Sequence, residues 1–339
     1  MKPSRTTITD LAKELGISPS TVSRALNNHP AISERTRKAV VKLARKKNYQ
    51  PNLLALHLLQ KKTNTIGVIV PEITSYFFSS IINGIQDYVN SLGVNIVIGQ
   101  SNESYEEEKT IVQTFTSINV DGFLISPSSQ SKTNDHLELL VKSNIPLVIF
   151  DRDCIGIEVD KVFVDEYNGA FQAVEYLIKT GCRRIAHIGG PQSLSTARHR
   201  MQAYRDALKK HMLPVRSEYM VEVDGFAPEH GIEPCKKLLK LEEPPDAIFT
   251  INDGVAIGSM YVIKEAGFEI PGEISVIGFD DDPHSSYFKP SLSTVWQPTY
   301  EMGMLSARIL MKRISSNNEL SKPRFETLSP ELVVRGSSR

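Results

Sequence analysis

The sequence predicts a multidomain protein, with a small all-α head followed by an α/β region of two lobes, each a doubly wound parallel sheet. The chain has 339 residues, too many for one compact core. Residues 1–63 contain 13 Lys and Arg but 3 Asp and Glu, a net charge of +10; the whole chain is neutral, so the remainder carries −10. From residue 65 onward, short apolar strands alternate with helical stretches, which is typical of parallel sheets.

Composition narrows the class of protein further. No run of about 18 apolar residues is present, so no membrane-spanning helix is expected. The N-terminal stretch MKPSRTTITD lacks the apolar core of a signal peptide. The three cysteines are odd in number and far apart, which favours reduced thiols over a disulfide framework or a zinc site. We therefore expect a cytoplasmic protein.

The segment ITDLAKELGISPSTVSRAL in the head predicts two short helices joined by a tight turn, which is a helix-turn-helix. Thr9 is the expected N-cap of the first helix, and Gly16 can adopt the left-handed conformation of the turn. Ser18 is the expected cap of the second helix, with Pro19 at its first position. A third amphipathic helix with a basic outer face is expected after Ser33.

The second helix of such a unit enters the major groove of DNA, which explains the basic head. Arg24 can bond bidentately to a guanine edge. The residues expected at base edges are Pro19, Ser20 and Arg24, and those expected at phosphates are Thr21, Ser23, Asn27 and His29.

Three segments, TITDLAKELGISPSTVSRALN, ISERTRKAVVKLARKKNYQPN and TIGVIVPEI, resemble the LacI/GalR family of bacterial repressors. The resemblance covers essentially the whole chain. It implies a homodimer on a near-palindromic operator and a hinge helix, in the leucine-rich segment LLALHLL, that forms on DNA. The residues that it adds to the DNA-binding set, with Thr9 of the first helix, are Tyr49, Asn52, Ala55 and Leu58.

Leu58 matches the family's leucine that enters the minor groove, and wedges of this kind kink DNA at about a few kcal/mol per step. Leu56 departs from the family, since many members have Arg there. From the residues alone, positions 53–59 favour the first core helix of the next domain over a hinge, and the resemblance reverses that preference. The expected organisation is a DNA-binding domain at 1–50, a hinge at 51–63 and an effector-binding and dimerisation domain at 64–339, with lobe 1 at about 64–164 and 296–326 and lobe 2 at about 165–295 and 327–339.

Polar and aromatic residues follow the apolar strands, where ligands bind in open α/β sheets. Planar Asp, Asn and Arg groups can hydrogen-bond the hydroxyls of a sugar, and aromatic rings can pack on its C–H faces. The set resembles the pocket of periplasmic ribose-type sugar-binding proteins. The expected effector-binding residues are Phe77, Phe78, Asp151, Arg152, Arg200, Phe226, Asn252, Asp280 and Gln297, with Ser128 and Asp165 as weaker candidates.

Other functions fit the sequence less well. It has no GxGxxG fingerprint, Walker loop, GxSxG elbow or HExxH motif, so we expect neither catalytic residues nor a cofactor, and no metal site. A sugar-binding protein without a DNA role would leave the basic head unexplained. A purine or phosphosugar effector stays possible, although the Asp151–Arg152 pair favours a sugar.

Overall fold

The computed structural model describes residues 6–49, 62–131, 133–316 and 322–339. The chain separates into two compact units, residues 1–63 and residues 64–339, which are described one at a time. None of the helices described combines the length and the apolarity that crossing a bilayer requires.

The described residues of the first unit, 6–49, form a three-helix head, as predicted, with α1 at Ile8–Leu15, α2 at Pro19–Leu26 and α3 at Glu34–Lys46. Gly16 ends α1 with a left-handed φ of 67°. The Ser18 hydroxyl accepts from the Thr21 N–H and so caps α2. The three helices share one small core of buried side chains: Leu11, Ala12, Val22, Ala25, Val40, Leu43 and Ala44.

Lobe 1 of the second unit is a six-stranded parallel sheet in the order β11-β5-β4-β3-β1-β2. Its strands are β1 (Thr65–Val70), β2 (Asn95–Gln100), β3 (Phe123–Ile125), β4 (Leu147–Phe150), β5 (Asp160–Val164) and β11 (Phe325–Leu328). Its helices are α4 (Tyr76–Asn90), α5 (Tyr105–Ser117), α6 (Asp135–Lys142) and α11 (Thr299–Ser315).

Lobe 2 is a four-stranded parallel sheet in the order β7-β6-β8-β9, with a two-stranded antiparallel ribbon, β10-β12, beside it. The strands are β6 (Ile185–Gly189), β7 (Met220–Glu222), β8 (Ala247–Thr250), β9 (Ser275–Ile277), β10 (Thr294–Trp296) and β12 (Glu331–Val333). The helices are α7 (Glu166–Lys179), α8 (Ser195–Lys210), α9 (Glu229–Leu239) and α10 (Asp253–Glu265), with short 3-10 turns at Ser217–Tyr219 and Pro283–Ser286.

The apolar strands of both sheets, β1, β3, β4, β6, β8 and β9, are buried on their two faces, which explains why polar residues are rare within them. In β1, Val68 packs in the core beneath α4 and α11, whereas its neighbour Ile69 packs in the core beneath α5 and α6. In β8, Ile248 faces α9 and α10, and Phe249 faces α7 and α8. Successive side chains of a strand point to opposite faces, so each sheet needs helices on both sides.

The chain passes between the lobes three times. It leaves lobe 1 between β5 and α7, returns between β10 and α11, and leaves again between β11 and β12. Parallel strands direct their carboxyl ends to one edge of a sheet, and the loops that follow β4, β8 and β9 therefore meet between the lobes.

Candidate functional site

The head presents the N-terminal end of α2 to solvent. Pro19, Ser20 and Arg24 are exposed, and Thr21 and Ser23 are half-buried. The hydroxyls of Ser20 and Thr21 both lie 2.8 Å from the Ser18 hydroxyl. These positions form one short, solvent-facing edge of the helix, of the kind that reads a major groove.

Thr9 is not the N-cap of α1, contrary to the sequence prediction. The cap is Thr7, whose side chain accepts from the Asp10 N–H while Asp10 accepts from the Thr7 N–H. This reciprocal capping box satisfies two helix-terminal donors, which Thr9, as the second residue inside the helix, could not do. Thr9 lies exposed in the first turn of α1.

Three other candidates in the head have contacts of their own. The Asn27 amide donates to the Ser23 carbonyl at 3.0 Å, and the His29 Nδ1 accepts from the Ala31 N–H at 3.2 Å. Tyr49 is half-buried against the core of the head. Asn52, Ala55 and Leu58, with the hinge around them, lie outside the described residues.

The second site is a cleft between the lobes, where loops that follow the strands of both sheets meet. Eight of the eleven effector-binding candidates from the sequence line one cavity there. Its lining consists of Glu72, Ser75, Phe77, Phe78, Glu103, Asp151, Arg152, Thr196, Arg200, Phe226, Asn252 and Asp280. Six of these residues also line an adjoining space of about 230 Å³.

Lobe 1 contributes Asp151 and Arg152, directly after β4. Asp151 has a left-handed φ of 64°, and its backbone N–H donates to the Val162 carbonyl at 3.0 Å. Its carboxylate accepts from the Ser126 hydroxyl at 3.0 Å. The Arg152 guanidinium bonds Glu103 bidentately at 2.7 and 2.9 Å. The strained conformation of Asp151 turns a buried carboxylate toward the cleft.

Lobe 2 contributes Arg200 from α8 and Asp280 after β9. The Arg200 Nε donates to Glu166 at 2.6 Å, and its guanidinium lies 3.6 Å from the centre of the Phe279 ring. Its Nη2 is 4.0 Å from an Asp280 oxygen. Asp280 has a φ of 113°, so both cleft carboxylates occupy backbone conformations that L-residues rarely adopt.

Burial changes the proton affinity of both carboxylates. It raises the pKa of Asp151 to about 6, against the opposing effect of Arg152. It also raises the pKa of Asp280 well above its ordinary value, although Arg200 opposes the change. Asp151 can therefore exchange roles as a hydrogen-bond acceptor and donor around pH 6.

Three predicted residues do not line the cavity. The Gln297 amide donates to Asp280 at 2.7 Å, and its buried Oε1 has no hydrogen-bond partner. Ser128 is buried, its hydroxyl pairing with that of Ser131. Asp165, the other weak candidate, caps α7 by accepting from the Asn168 N–H at 3.0 Å.

Asn252 lines the cleft, but its side chain has structural partners. Its Oδ1 caps α10 by accepting from the Val255 N–H, and its Nδ2 donates to the Phe226 carbonyl, both at 3.0 Å. The neighbouring Asp253 is fully buried and accepts from Thr294, Asp282 and Ser285. These bonds position the loop that carries Asp280.

Sequence reasoning missed four of the acidic and hydroxyl residues at the site: Glu72, Glu103, Glu166 and Thr196. Glu103 lies in the loop after β2 and has a left-handed φ of 60°. The rule that ligand groups follow strand ends could have identified Glu72, Glu103 and Glu166, since they come two or three residues after the ends of β1, β2 and β5. Thr196 lies in the first turn of α8, well past the end of β6, and carries no such signal.

A helix-turn-helix head joined to a two-lobed, ligand-cleft domain defines a DNA-binding transcriptional regulator. The profile described as bacterial regulatory proteins, lacI family, matches residues 7–52, and one described as a periplasmic binding protein-like domain matches residues 174–338. Catabolite control protein A of Priestia megaterium is 34% identical over 308 residues, which cover 90% of this chain and 92% of that protein. The chain belongs to the LacI family of bacterial regulators.

Solved structures agree with this assignment. The lac repressor dimer bound to operator and the anti-inducer ONPF matches with a TM-score of 0.86 and 27% identity, over 98% of this chain and 99% of that one. The transcriptional regulator CelR in complex with cellobiose matches with a TM-score of 0.74 and 28% identity, over 98% of this chain and 100% of that one.

Proposed function

We propose that this regulator is a cytoplasmic, homodimeric repressor of carbohydrate-metabolism genes whose affinity for a near-palindromic operator is set by a sugar in the cleft. The observation that carries the proposal is the convergence of Asp151 and Arg152 from lobe 1 with Arg200 and Asp280 from lobe 2. One ligand with several hydroxyls can bond to both lobes at once, with the Phe77 and Phe226 rings beside it. The similarity to CelR, which is solved in complex with cellobiose, favours the same ligand class.

Some contacts in the cleft join the two lobes and therefore depend on the relative orientation of the lobes. Arg152 of lobe 1 lies 5.5 Å from the centre of the Phe226 ring of lobe 2. The Asp153 N–H of lobe 1 donates to the Ser195 hydroxyl of lobe 2 at 3.0 Å. A ligand that strengthens this arrangement stabilises one lobe geometry over another, which is the differential binding that a population shift requires.

The head acts at two levels in this proposal. The exposed edge of α2 reads bases through Arg24 and Ser20, while the basic face of α3 neutralises phosphates. One such edge reads only a few base pairs, so two copies are needed for a specific site. Leu58 of the hinge is proposed to enter the minor groove between the half-sites.

Selection of binding sites from random duplex DNA, with and without a pool of sugars, tests the proposal. We expect a near-palindrome whose yield changes when the sugars are present, and the direction of the change tells whether the ligand releases or promotes binding. A recovered site that ignores every sugar would contradict the proposed control. No enriched site in either condition would contradict the proposed sequence-specific operator binding.

A further inference from the structure

We infer that the cleft selects a neutral sugar and that Glu103 is the residue that excludes an anionic one. The inference rests on the proposed function and narrows its ligand class. Its basis is the pairing of both cleft arginines with glutamates. The sequence pattern of the strands and of the residues after them did not indicate this pairing. An anionic ligand, such as a sugar phosphate or a uronate, would need one of these guanidiniums.

Arg152 is already bonded in the way that an anion would bond it. Its Nη1 and Nη2 donate to the two Glu103 oxygens at 2.7 and 2.9 Å, and Nη1 also donates to the Pro127 carbonyl at 3.1 Å. Its Nε lies 3.5 Å from Asp151. A bidentate carboxylate occupies the fork geometry that recognises phosphates and carboxylates.

Arg200 is occupied in a similar way. Glu166 is 4% exposed at its side chain and accepts from the Arg200 Nε, while Nη1 donates to the Ile251 carbonyl. The remaining Nη2 lies toward Asp280. One donor group therefore points at the ligand space, beside a carboxylate that disfavours a second negative charge.

Acidic groups outnumber basic ones at the site. Among the described residues that line the cleft or pair with its arginines, the acids are Glu72, Glu103, Asp151, Glu166 and Asp280, and the bases are Arg152 and Arg200. Like charges repel more strongly in a poorly solvated cleft than in water. Sugar hydroxyls carry no charge and can donate to Asp151 and Asp280.

Glu103 is fixed where it lies. Its Oε2 also accepts from the Ser129 N–H at 2.7 Å, so the carboxylate joins two loops of lobe 1 as well as Arg152. Burial by itself would raise the pKa of Glu103, but the facing Arg152 guanidinium keeps it below its ordinary value. Glu103 therefore remains ionised and paired when a ligand arrives.

Calorimetric titration of the full-length protein with matched ligand pairs tests the inference. The pairs are D-ribose and its phosphate ester, D-glucose and its phosphate ester, and D-galactose and D-galacturonate. The proteins are the wild type, Glu103→Gln, Glu103→Asp and Glu106→Gln. Glu106 is an exposed acid on α5, so its substitution changes the net charge equally without touching Arg152.

The wild type should bind a neutral member and bind its anionic counterpart at least about tenfold more weakly, the scale of one charge-assisted hydrogen bond. Glu103→Gln leaves Arg152 without its counter-charge, so the variant should bind the anionic ligand more tightly. The ratio of neutral-ligand affinity to anionic-ligand affinity should therefore fall by about tenfold. Glu106→Gln should match the wild type, and Glu103→Asp, which keeps the charge, should keep most of the discrimination.

Three results would overturn the inference. They are tighter wild-type binding of an anionic member, binding of no neutral member, and a ratio that Glu103→Gln leaves unchanged in a protein that melts like the wild type. If Glu103→Gln does not fold, the affinities of the wild type and of Glu103→Asp for the neutral and anionic ligands still test the inference. The proposed function fails separately, when a neutral sugar binds the cleft but operator affinity does not respond.

Discussion

The two lobes each bring a buried arginine to the cleft, but they hold it differently. Arg152 in lobe 1 has a bidentate carboxylate partner and lies between the Phe78 and Phe226 rings, at 5.8 and 5.5 Å. Arg200 in lobe 2 donates once to Glu166, rests on the Phe279 ring and leaves Nη2 near Asp280. Lobe 1 therefore offers a neutralised platform, whereas lobe 2 offers a donor that a sugar hydroxyl can use.

This difference assigns separate tasks to the two lobes. Arg200 and Asp280 form a donor and acceptor that one vicinal diol can satisfy together. Arg152 completes the wall and touches the opposite lobe through Phe226. The affinity for a ligand should thus depend mainly on Arg200 and Asp280 of lobe 2. The choice between a neutral and an anionic ligand should depend mainly on the Arg152–Glu103 ion pair of lobe 1.

The largest expected effect follows substitution of Arg200. Arg200→Met should abolish the effector response and destabilise the protein by about 3–5 kcal/mol, because Glu166 is left as an uncompensated buried charge. Urea unfolding measures the loss of stability. Calorimetric titration measures the loss of ligand binding, with the sugar that the binding-site selection identifies.

The double variant Arg200→Met with Glu166→Gln should regain part of the stability but none of the ligand affinity. Arg198→Met is the matched control, since the hydrogen bonds of Arg198 within the described part of the chain go to the Gln192 and Ser193 carbonyls. Its ligand affinity should equal that of the wild type. Unchanged effector response in Arg200→Met would remove Arg200 from the ligand site.

A smaller effect is expected at the contact between the lobes. Phe226→Ala removes the ring that faces Arg152 and the sugar, and should weaken ligand binding by about tenfold, the scale of a desolvated cation–π contact. Phe288→Ala changes a partly exposed ring of the same lobe outside the cavity and should leave affinity unchanged. Equal effects of the two substitutions would contradict a role for Phe226 at the cleft.

Ligand affinity should rise with pH across the titration of Asp151, whose pKa burial raises to about 6. Sugar hydroxyls donate to the ionised carboxylate, so binding favours that form and strengthens as pH increases from about 5 to about 7, then levels. Asp151→Asn should flatten this profile in calorimetric titrations. A wild-type affinity that falls over the same interval would show that the protonated carboxyl binds the ligand.

The smallest effect is expected at Asp165, which the sequence suggested as a weak ligand contact. Asp165→Ala removes the cap of α7 and should cost about 1 kcal/mol of unfolding free energy with little change in ligand affinity. Ser104→Ala, at the N-cap of α5 in lobe 1, is the comparable change in the other lobe. A large affinity loss confined to Asp165→Ala would return this residue to the ligand site.

The apolar strands could be predicted because both of their faces are covered, so polar residues are rare within them. β5 has no such pattern, since it begins with Asp160 and Lys161. Both are buried in ion pairs, Asp160 with Arg313 at 2.6 Å and Lys161 with Asp153 at 2.5 Å. A strand whose charges are compensated by distant residues resembles a loop when only the local sequence is considered.

Contacts between residues distant in the chain also limited the prediction of the cleft. Asp151, Arg152 and Asp280 could be predicted because the carboxyl ends of parallel strands meet at one edge. The pairing of the two cleft arginines with Glu103 and Glu166 could not, because it depends on the left-handed conformation of Glu103 and on the packing of α7 against α8. Likewise, Thr7 caps α1 through Asp10, and the sequence admits Thr9 equally well.

Titration of the selected operator by fluorescence anisotropy, with and without the effector, tests the central claim most directly. We expect wild-type operator affinity to change by at least about tenfold, a coupling free energy of roughly 1.4 kcal/mol. In Asp280→Asn the unliganded affinity should be preserved and the effector-dependent change should disappear. If the effector still changed the operator affinity of Asp280→Asn as much as that of the wild type, DNA binding would be controlled from somewhere other than this cleft.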